Sequence, residues 1–220
     1  MGRTKYSPEK RNEIIISFVK ATIEILKEDG IDEVSIRHVS TRAGYSSATL
    51  YLYFKDLNEL VSLSSIFYLR NYVNEIAQTG NEKRTPKETY RYTWDVFVRH
   101  ALNKPDIYLN LFFGPNSDSL DENTMAYYGL FPDELDINID DSLLDMLASG
   151  RLLERNKKVL RPYAAELGMT EEKINLANEV TVAYFRSILE RACKIDVVTQ
   201  EIKDNLTEEF LKGAFFILGQ

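Results

Sequence analysis

Ten consecutive positions, Ser46-Ser47-Ala48-Thr49-Leu50-Tyr51-Leu52-Tyr53-Phe54-Lys55, set three small hydroxyls, two tyrosines and a lysine around two apolar anchors, Leu50 and Phe54. The anchors are four residues apart, so a helix sends both inward and leaves the small and hydroxylated side chains outside. That face suits recognition better than reaction. Hydroxyls bond phosphate oxygens and base edges, the Ala48 methyl can meet the methyl of thymine, and small side chains let a backbone approach a groove floor. Nothing comparable serves catalysis. The histidines are His38 and His100 and the cysteine is Cys193, all far apart in sequence, which gives no zinc cluster and no Cys/His dyad. There is no phosphate-cradling glycine loop. We expect no metal, no cofactor and no catalytic residue.

A helix of about seven residues does not stand alone, so neighbouring elements must hold it. Ser7-Pro8 reads as a helix start, with Ile15, Phe18, Thr22, Ile25 and Leu26 at helical spacing and Gly30 as a left-handed end. Ser35 caps a short helix buried through Ile36, Val39 and Ala43, Gly44 supplies a turn, and Ser46 opens the helix that carries the hydroxyls. Asp56 caps a long fourth helix to about Gln78, apolar on more than one face and so expected between two bodies. Helix is expected again from Pro86 to Asn103, from Asp106 to Phe113, from Asp141 to Leu167, from Thr170 to Lys194 and from Thr207 onward. Gly114 to Asp140 reads as the least regular segment, acidic and without lysine or arginine. Strand alternation is nearly absent. The expectation is an all-α protein, with a three-helix head over residues 1–56 and a larger helical domain over 57–220.

The formal charge of −7 is unevenly spread. The first 60 residues hold nine basic and nine acidic side chains; Arg3 to Arg11 has four basic residues and one acid, and Val34 to Lys55 has three and none. A neutral head can thus turn a basic face to phosphates. With no long apolar span, no leader-like start and a lone cysteine, a soluble, cytoplasmic protein without a membrane partner is expected.

Ser35-Ile36-Arg37-His38-Val39-Ser40-Thr41-Arg42-Ala43-Gly44-Tyr45-Ser46, continuing through Thr49-Leu50-Tyr51-Leu52-Tyr53-Phe54, resembles the helix-turn-helix of the TetR/AcrR family of transcriptional regulators. Phe18, Ala21, Leu26 and Gly30 fit its first helix and Leu60-Val61 the start of its fourth, so the resemblance covers about residues 10–61. It implies a double-stranded operator as partner and DNA contacts at Ser46, Ser47, Ala48, Thr49, Tyr51 and Tyr53. Ser47, Ala48 and Tyr51 would lie nearest the bases, and Ser46 and Tyr53 on phosphate. Arg37, the Arg3–Arg11 arm, Arg42 and Lys55 are added on electrostatic grounds. Two positions depart from the family pattern: Ala48 replaces the usual glycine, and Leu57 a frequent lysine.

The resemblance further implies a ligand-responsive regulator, repressor or activator, with a sensor pocket and a homodimer built on the last two helices. Tyr90, Trp94, Phe97, Tyr108, Phe112, Tyr128 and Phe131 belong to a segment, residues 86–135, with ten aromatics in 50 positions, which suits an apolar or aromatic small molecule or else a plain aromatic core. For the dimer the expected seam is Ile174, Ala177, Thr181, Tyr184 and Ile188 with Phe210, Ala214 and Phe215. An all-helical protein-interaction module that does not bind DNA is the alternative, and a small-molecule enzyme the other.

Overall fold

The computed structural model describes residues 7–79, 82–134 and 151–220. Helix α1 (Pro8–Glu28) is capped by Ser7, whose hydroxyl accepts from the Lys10 N–H. It ends at Asp29; Gly30 has a positive φ but an extended ψ (90°, 177°), so it reverses the chain rather than forming the left-handed cap expected. Ser35 caps α2 (Ile36–Ala43) through the His38 N–H, and Gly44 closes it in the left-handed region at φ 75°, ψ 25°. A methyl added at Gly44 would meet nothing within 4 Å, so Gly44→Ala isolates the backbone cost. We expect a loss of about 1–2 kcal/mol of stability, read as a lowered urea midpoint with an unchanged slope.

Ser46 caps α3 (Ser47–Leu50), which is shorter than expected: one α turn followed by tight turns through Tyr53, with Phe54 N–H donating to the Leu50 carbonyl. Phe18 lies against Tyr45 at 5.4 Å and edge-on to Phe54 at 6.2 Å, and with buried Leu26, Val39 and Leu50 it makes the core of the head. The fourth element begins at Asp56 as expected but is not one helix. It runs as α4 (Leu57–Ser65), a 3₁₀ segment (Ile66–Leu69) and α5 (Arg70–Thr79). Ser62, Ser64 and Ser65 are buried, and the Ser65 hydroxyl returns to the Val61 carbonyl at 2.7 Å. Such back-bonding loosens an α ladder. Helix α4 packs on α1 on one side and on α7 (Pro105–Phe113) and α8 (Leu120–Leu130) on the other, the sandwiched position that its two apolar faces require.

Behind it, α6 (Pro86–Ala101) starts with a full capping box between Thr85 and Glu88. Glu75 ties α5 to α6 by accepting from Arg99 at 3.0 Å and bonding His100 at 2.7 Å. Helix α9 (Leu152–Glu166) lies on α6 and on α10 (Glu171–Ala192), and α11 (Gln200–Ile217) on α6 and α10. Two boundaries differ from expectation. The expected irregular stretch holds α8, while residues 135–150, including the expected helix start at Asp141, lie outside the described residues. The last helix starts at Thr199, whose hydroxyl accepts from the Ile202 N–H; Thr207 is buried mid-helix. No described residue is in a strand, and no described helix is long and apolar enough to cross a membrane.

Candidate functional site

Helix α3 stands at the surface with its anchors down. Leu50 and Phe54 are buried, whereas Ser46, Ser47 and Ala48 are exposed, Thr49 is half-buried and Tyr51 is 55% exposed. The Ser46 hydroxyl accepts from the Thr49 N–H at 3.2 Å and pairs with the Thr49 hydroxyl at 2.9 Å, so these two side chains build the turn while Ser47, Ala48 and Tyr51 face outward. Tyr53 is half-buried with the Arg11 guanidinium over its ring at 5.8 Å, which brings one residue of the basic arm to the same edge. Arg3 and Lys5 lie outside the described residues. Arg37 and the Lys55 side chain are exposed, and the Lys55 N–H donates to Glu59 at 2.5 Å.

Arg42 departs from expectation. It reaches Glu28 at 2.5 Å and Asp29 at 4.0 Å, and the hydrogen bond it donates to Glu28 holds its guanidinium above its usual pKa, so it ties α2 to the end of α1. Leu57 is half-buried against the core, which explains why no cation stands there. His38 is a surface residue whose Nδ1 meets the Glu33 carbonyl at 3.2 Å. The residue missed beside α3 is Leu52, 50% exposed; an apolar side chain with the spacing of neither anchor was the available sign.

In the rear domain the aromatic residues mostly spend their faces on one another. Phe97 contacts Trp94, Tyr108 and Phe112 at 5.2–5.8 Å, and Tyr90 instead packs on Tyr163 and Phe215. Tyr90, Trp94, Phe97, Tyr108 and Phe112 are all buried. Tyr128 and Phe131 are half-buried and lie beside Tyr127. Only Trp94 and Phe97 of the seven expected pocket residues line the cavity between α5, α6 and α9, together with Tyr72, Thr93, Leu152, Arg155, Asn156 and Val159. A buried chain of hydrogen bonds runs beside it: Trp94 Nε1 donates to Asn156 Oδ1 at 2.8 Å, Asn156 Nδ2 to Asn178 Oδ1 at 2.8 Å, and Asn178 Nδ2 to the Leu153 carbonyl at 3.0 Å. The sequence sign for it was Asn156 inside the apolar stripe Leu152, Leu160 and Tyr163.

The expected dimer seam lies largely inside the protomer. Ile174, Ala177, Thr181, Ile188, Phe210, Ala214 and Phe215 are buried inside the protomer, and Tyr184 stacks on Phe210 at 5.8 Å. The same helices carry uncovered residues: the stripe Leu176 (63% exposed), Val180, Ala183 and Ser187 on α10, four, three and four apart, and Phe216 (80% exposed) on α11. Gly213 lets the two helices close up here, since a methyl at that position would run into the Tyr184 ring, 2.3 Å from Cε1. Cys193 is exposed at the end of α10, and partial burial of its thiol pushes its pKa up.

Residues 18–62, from the first buried aromatic of α1 into α4, match the family model for bacterial regulatory proteins of the tetR family. The head is a TetR-family domain. No curated protein sequence matches the chain. Among solved structures, the TetR-type fold extends over nearly the whole length. RolR in complex with resorcinol is 17% identical, with 94% of this chain and 89% of that one covered at a TM-score of 0.59. FadR of Thermus thermophilus, a TetR-family repressor in complex with lauroyl-CoA, is 15% identical, covering 93% and 92% at 0.57. BioQ of Mycobacterium smegmatis is 14% identical, covering 93% and 94% at 0.55. At such identities the likeness is one of fold. Within that TetR-type frame α2 and α3 form the helix-turn-helix, and α4 to α11 the helical body behind it.

Proposed function

We propose that this protein is a DNA-binding transcriptional repressor that works as a homodimer on a palindromic operator and releases it when a small molecule occupies the rear domain. The observation that carries the DNA reading is the outward trio Ser47, Ala48 and Tyr51 on a turn pinned by Leu50 and Phe54, inside a TetR-family head. Ser47, Ala48 and Tyr51 read bases; Ser46, Thr49, Tyr53, Arg37, Lys55, Lys10 and Arg11 hold backbone phosphates. The division at residues 56 and 57 belongs to the same reading, with α4 serving both parts.

Homodimerisation rests on the uncovered residues of α10 and α11. Two heads on a two-fold axis must sit about one DNA turn apart, roughly 34–36 Å, to meet both half-sites. The ligand response is supported by the cavity beside Trp94 and by two proteins of like fold named with small molecules, resorcinol for RolR and lauroyl-CoA for FadR. A reducing cytoplasm suits the free Cys193.

Selection of binding sites from random duplex DNA tests the reading. We expect enrichment of a palindrome by the full chain. Tyr51→Ala should lose about 1–3 kcal/mol on the selected site and almost nothing on random duplex. Lys10→Ala and Arg11→Ala should weaken both alike and reduce the salt slope by about 1 each. A chain that retains no duplex DNA is the non-binding interaction module instead.

A further inference from the structure

The surface that α3 turns outward carries no long hydrogen-bonding side chain. From Ser46 to Phe54 the sequence has no arginine, lysine, asparagine, glutamine, aspartate or glutamate. Those side chains tell base pairs apart in the major groove: arginine or lysine on guanine, asparagine or glutamine on adenine, a carboxylate on cytosine. The hydroxyls of α3 do not replace them. Ser46 and Thr49 bond each other at 2.9 Å, and a serine such as Ser47 meets donor and acceptor edges alike. What remains is apolar. Ala48 is exposed, and so are half of Tyr51 and half of Leu52. The three stand at i, i+3 and i+4, the spacing of one helix face, and the Leu52 N–H closes the turn on the Thr49 carbonyl at 3.1 Å. No acid lies between Val34 and Lys55, while Arg37 and Lys55 are exposed, so a polyanion meets attraction on either side of this patch.

We propose that α3 reads thymine methyl groups, so that each operator half-site sets thymines against Ala48, Tyr51 and Leu52. This rests on the DNA-binding reading above and names what the base-reading face takes. The C5-methyl of thymine is the apolar group that base pairs expose in the major groove, and a side chain without hydrogen-bonding atoms can discriminate only through it. Contact removes apolar surface from water on both partners. A cytosine in the same place lacks the methyl and leaves the patch wet. Ala48 gives the idea its sharpest form. Where the family pattern has glycine, this chain adds one methyl at the second residue of α3, in the part of a recognition helix that lies nearest the base edges. A single methyl contact is weak, so discrimination has to be built from several. Three apolar side chains on one turn supply them.

The test titrates the full chain against the duplex it selects, with each thymine replaced in turn by deoxyuridine, which removes the methyl and keeps every hydrogen-bonding atom. At the contacted thymines affinity should fall about threefold to tenfold, and elsewhere it should hold. A 5-methylcytosine·guanine pair at such a position should be bound more tightly than cytosine·guanine, because the methyl returns while the hydrogen-bond pattern does not. In Ala48→Gly the deoxyuridine penalty should vanish at one position of each half-site, and in Leu52→Ser it should shrink at another, with binding to random duplex unchanged in both. Should a variant lose random duplex as well, the deoxyuridine scan of the unaltered protein alone decides. A selected half-site without thymine, deoxyuridine tolerated at every position, or penalties that persist in full in both variants would each overturn the thymine reading and leave DNA binding standing. A chain that retains no duplex at all overturns both.

Discussion

Ala183→Arg and Val180→Arg are expected to give folded monomers whose operator affinity falls roughly 10²–10⁴-fold, the advantage of two linked heads over one. Both residues are exposed on α10 within the protomer, so an arginine there costs the isolated chain little. In a dimer built on this stripe the same arginine becomes a desolvated charge facing its own symmetry copy, because a two-fold interface repeats every residue across the axis. Thr181→Arg is the informative contrast. Thr181 is wholly buried inside the protomer, and that substitution should unfold the chain rather than split it. Sedimentation and far-ultraviolet circular dichroism together distinguish the outcomes. An intact dimer for both exposed-face variants would move the interface away from α10.

Asn156→Ala should cost about 2–4 kcal/mol of stability. It removes the acceptor of the Trp94 indole N–H and the donor to Asn178 Oδ1, leaving two buried polar groups unmatched beside a new void. Each unmatched group carries a desolvation penalty of about 1–3 kcal/mol, larger than the net gain of an ordinary hydrogen bond. For a chain of this length about 2–4 °C of melting temperature is lost per kcal/mol, measured at fixed protein concentration because a dimer's stability depends on it. Asn156→Ala combined with Asn178→Leu should cost less than the sum of the single changes, since the second orphan is removed with its partner. A loss below about 1 kcal/mol for Asn156→Ala would mean that water takes over the missing bonds.

The head was legible in the sequence because its signals are local. Ser7, Ser35, Ser46 and Asp56 each cap the helix that begins beside them, and Gly44 takes the left-handed turn its position demands. The rear domain depends on which face of a helix meets which neighbour, and periodicity does not carry that information. Helix α10 bears two stripes at seam spacing, one through Ile174, Ala177 and Thr181 and one through Leu176, Val180 and Ala183; composition favours the first for any partner, and only packing shows that α6, α7, α9 and α11 already surround it. Arg155 was hidden for a similar reason. A cation directly after Leu152-Leu153-Glu154 reads as an outer face until tertiary contacts bury it. The early end of α3 has a different cause, as its last turn is fixed by Leu50 and Phe54 seating against Phe18, not by helix propensity.

The 3₁₀ segment at Ile66–Leu69 makes the connection between head and body a rod of variable gauge. A 3₁₀ residue advances about 2.0 Å and turns 120°, an α residue about 1.5 Å and 100°. Rewinding four residues from one form to the other therefore shortens the rod by about 2 Å and rotates one end against the other by about 80°. Tyr108 sets the clamp on that coupling from the body, since its hydroxyl donates to the Tyr68 carbonyl at 3.0 Å inside the segment. In the proposed dimer, the spacing of the two heads along DNA would follow from the winding of these four residues, none of them on the recognition helix.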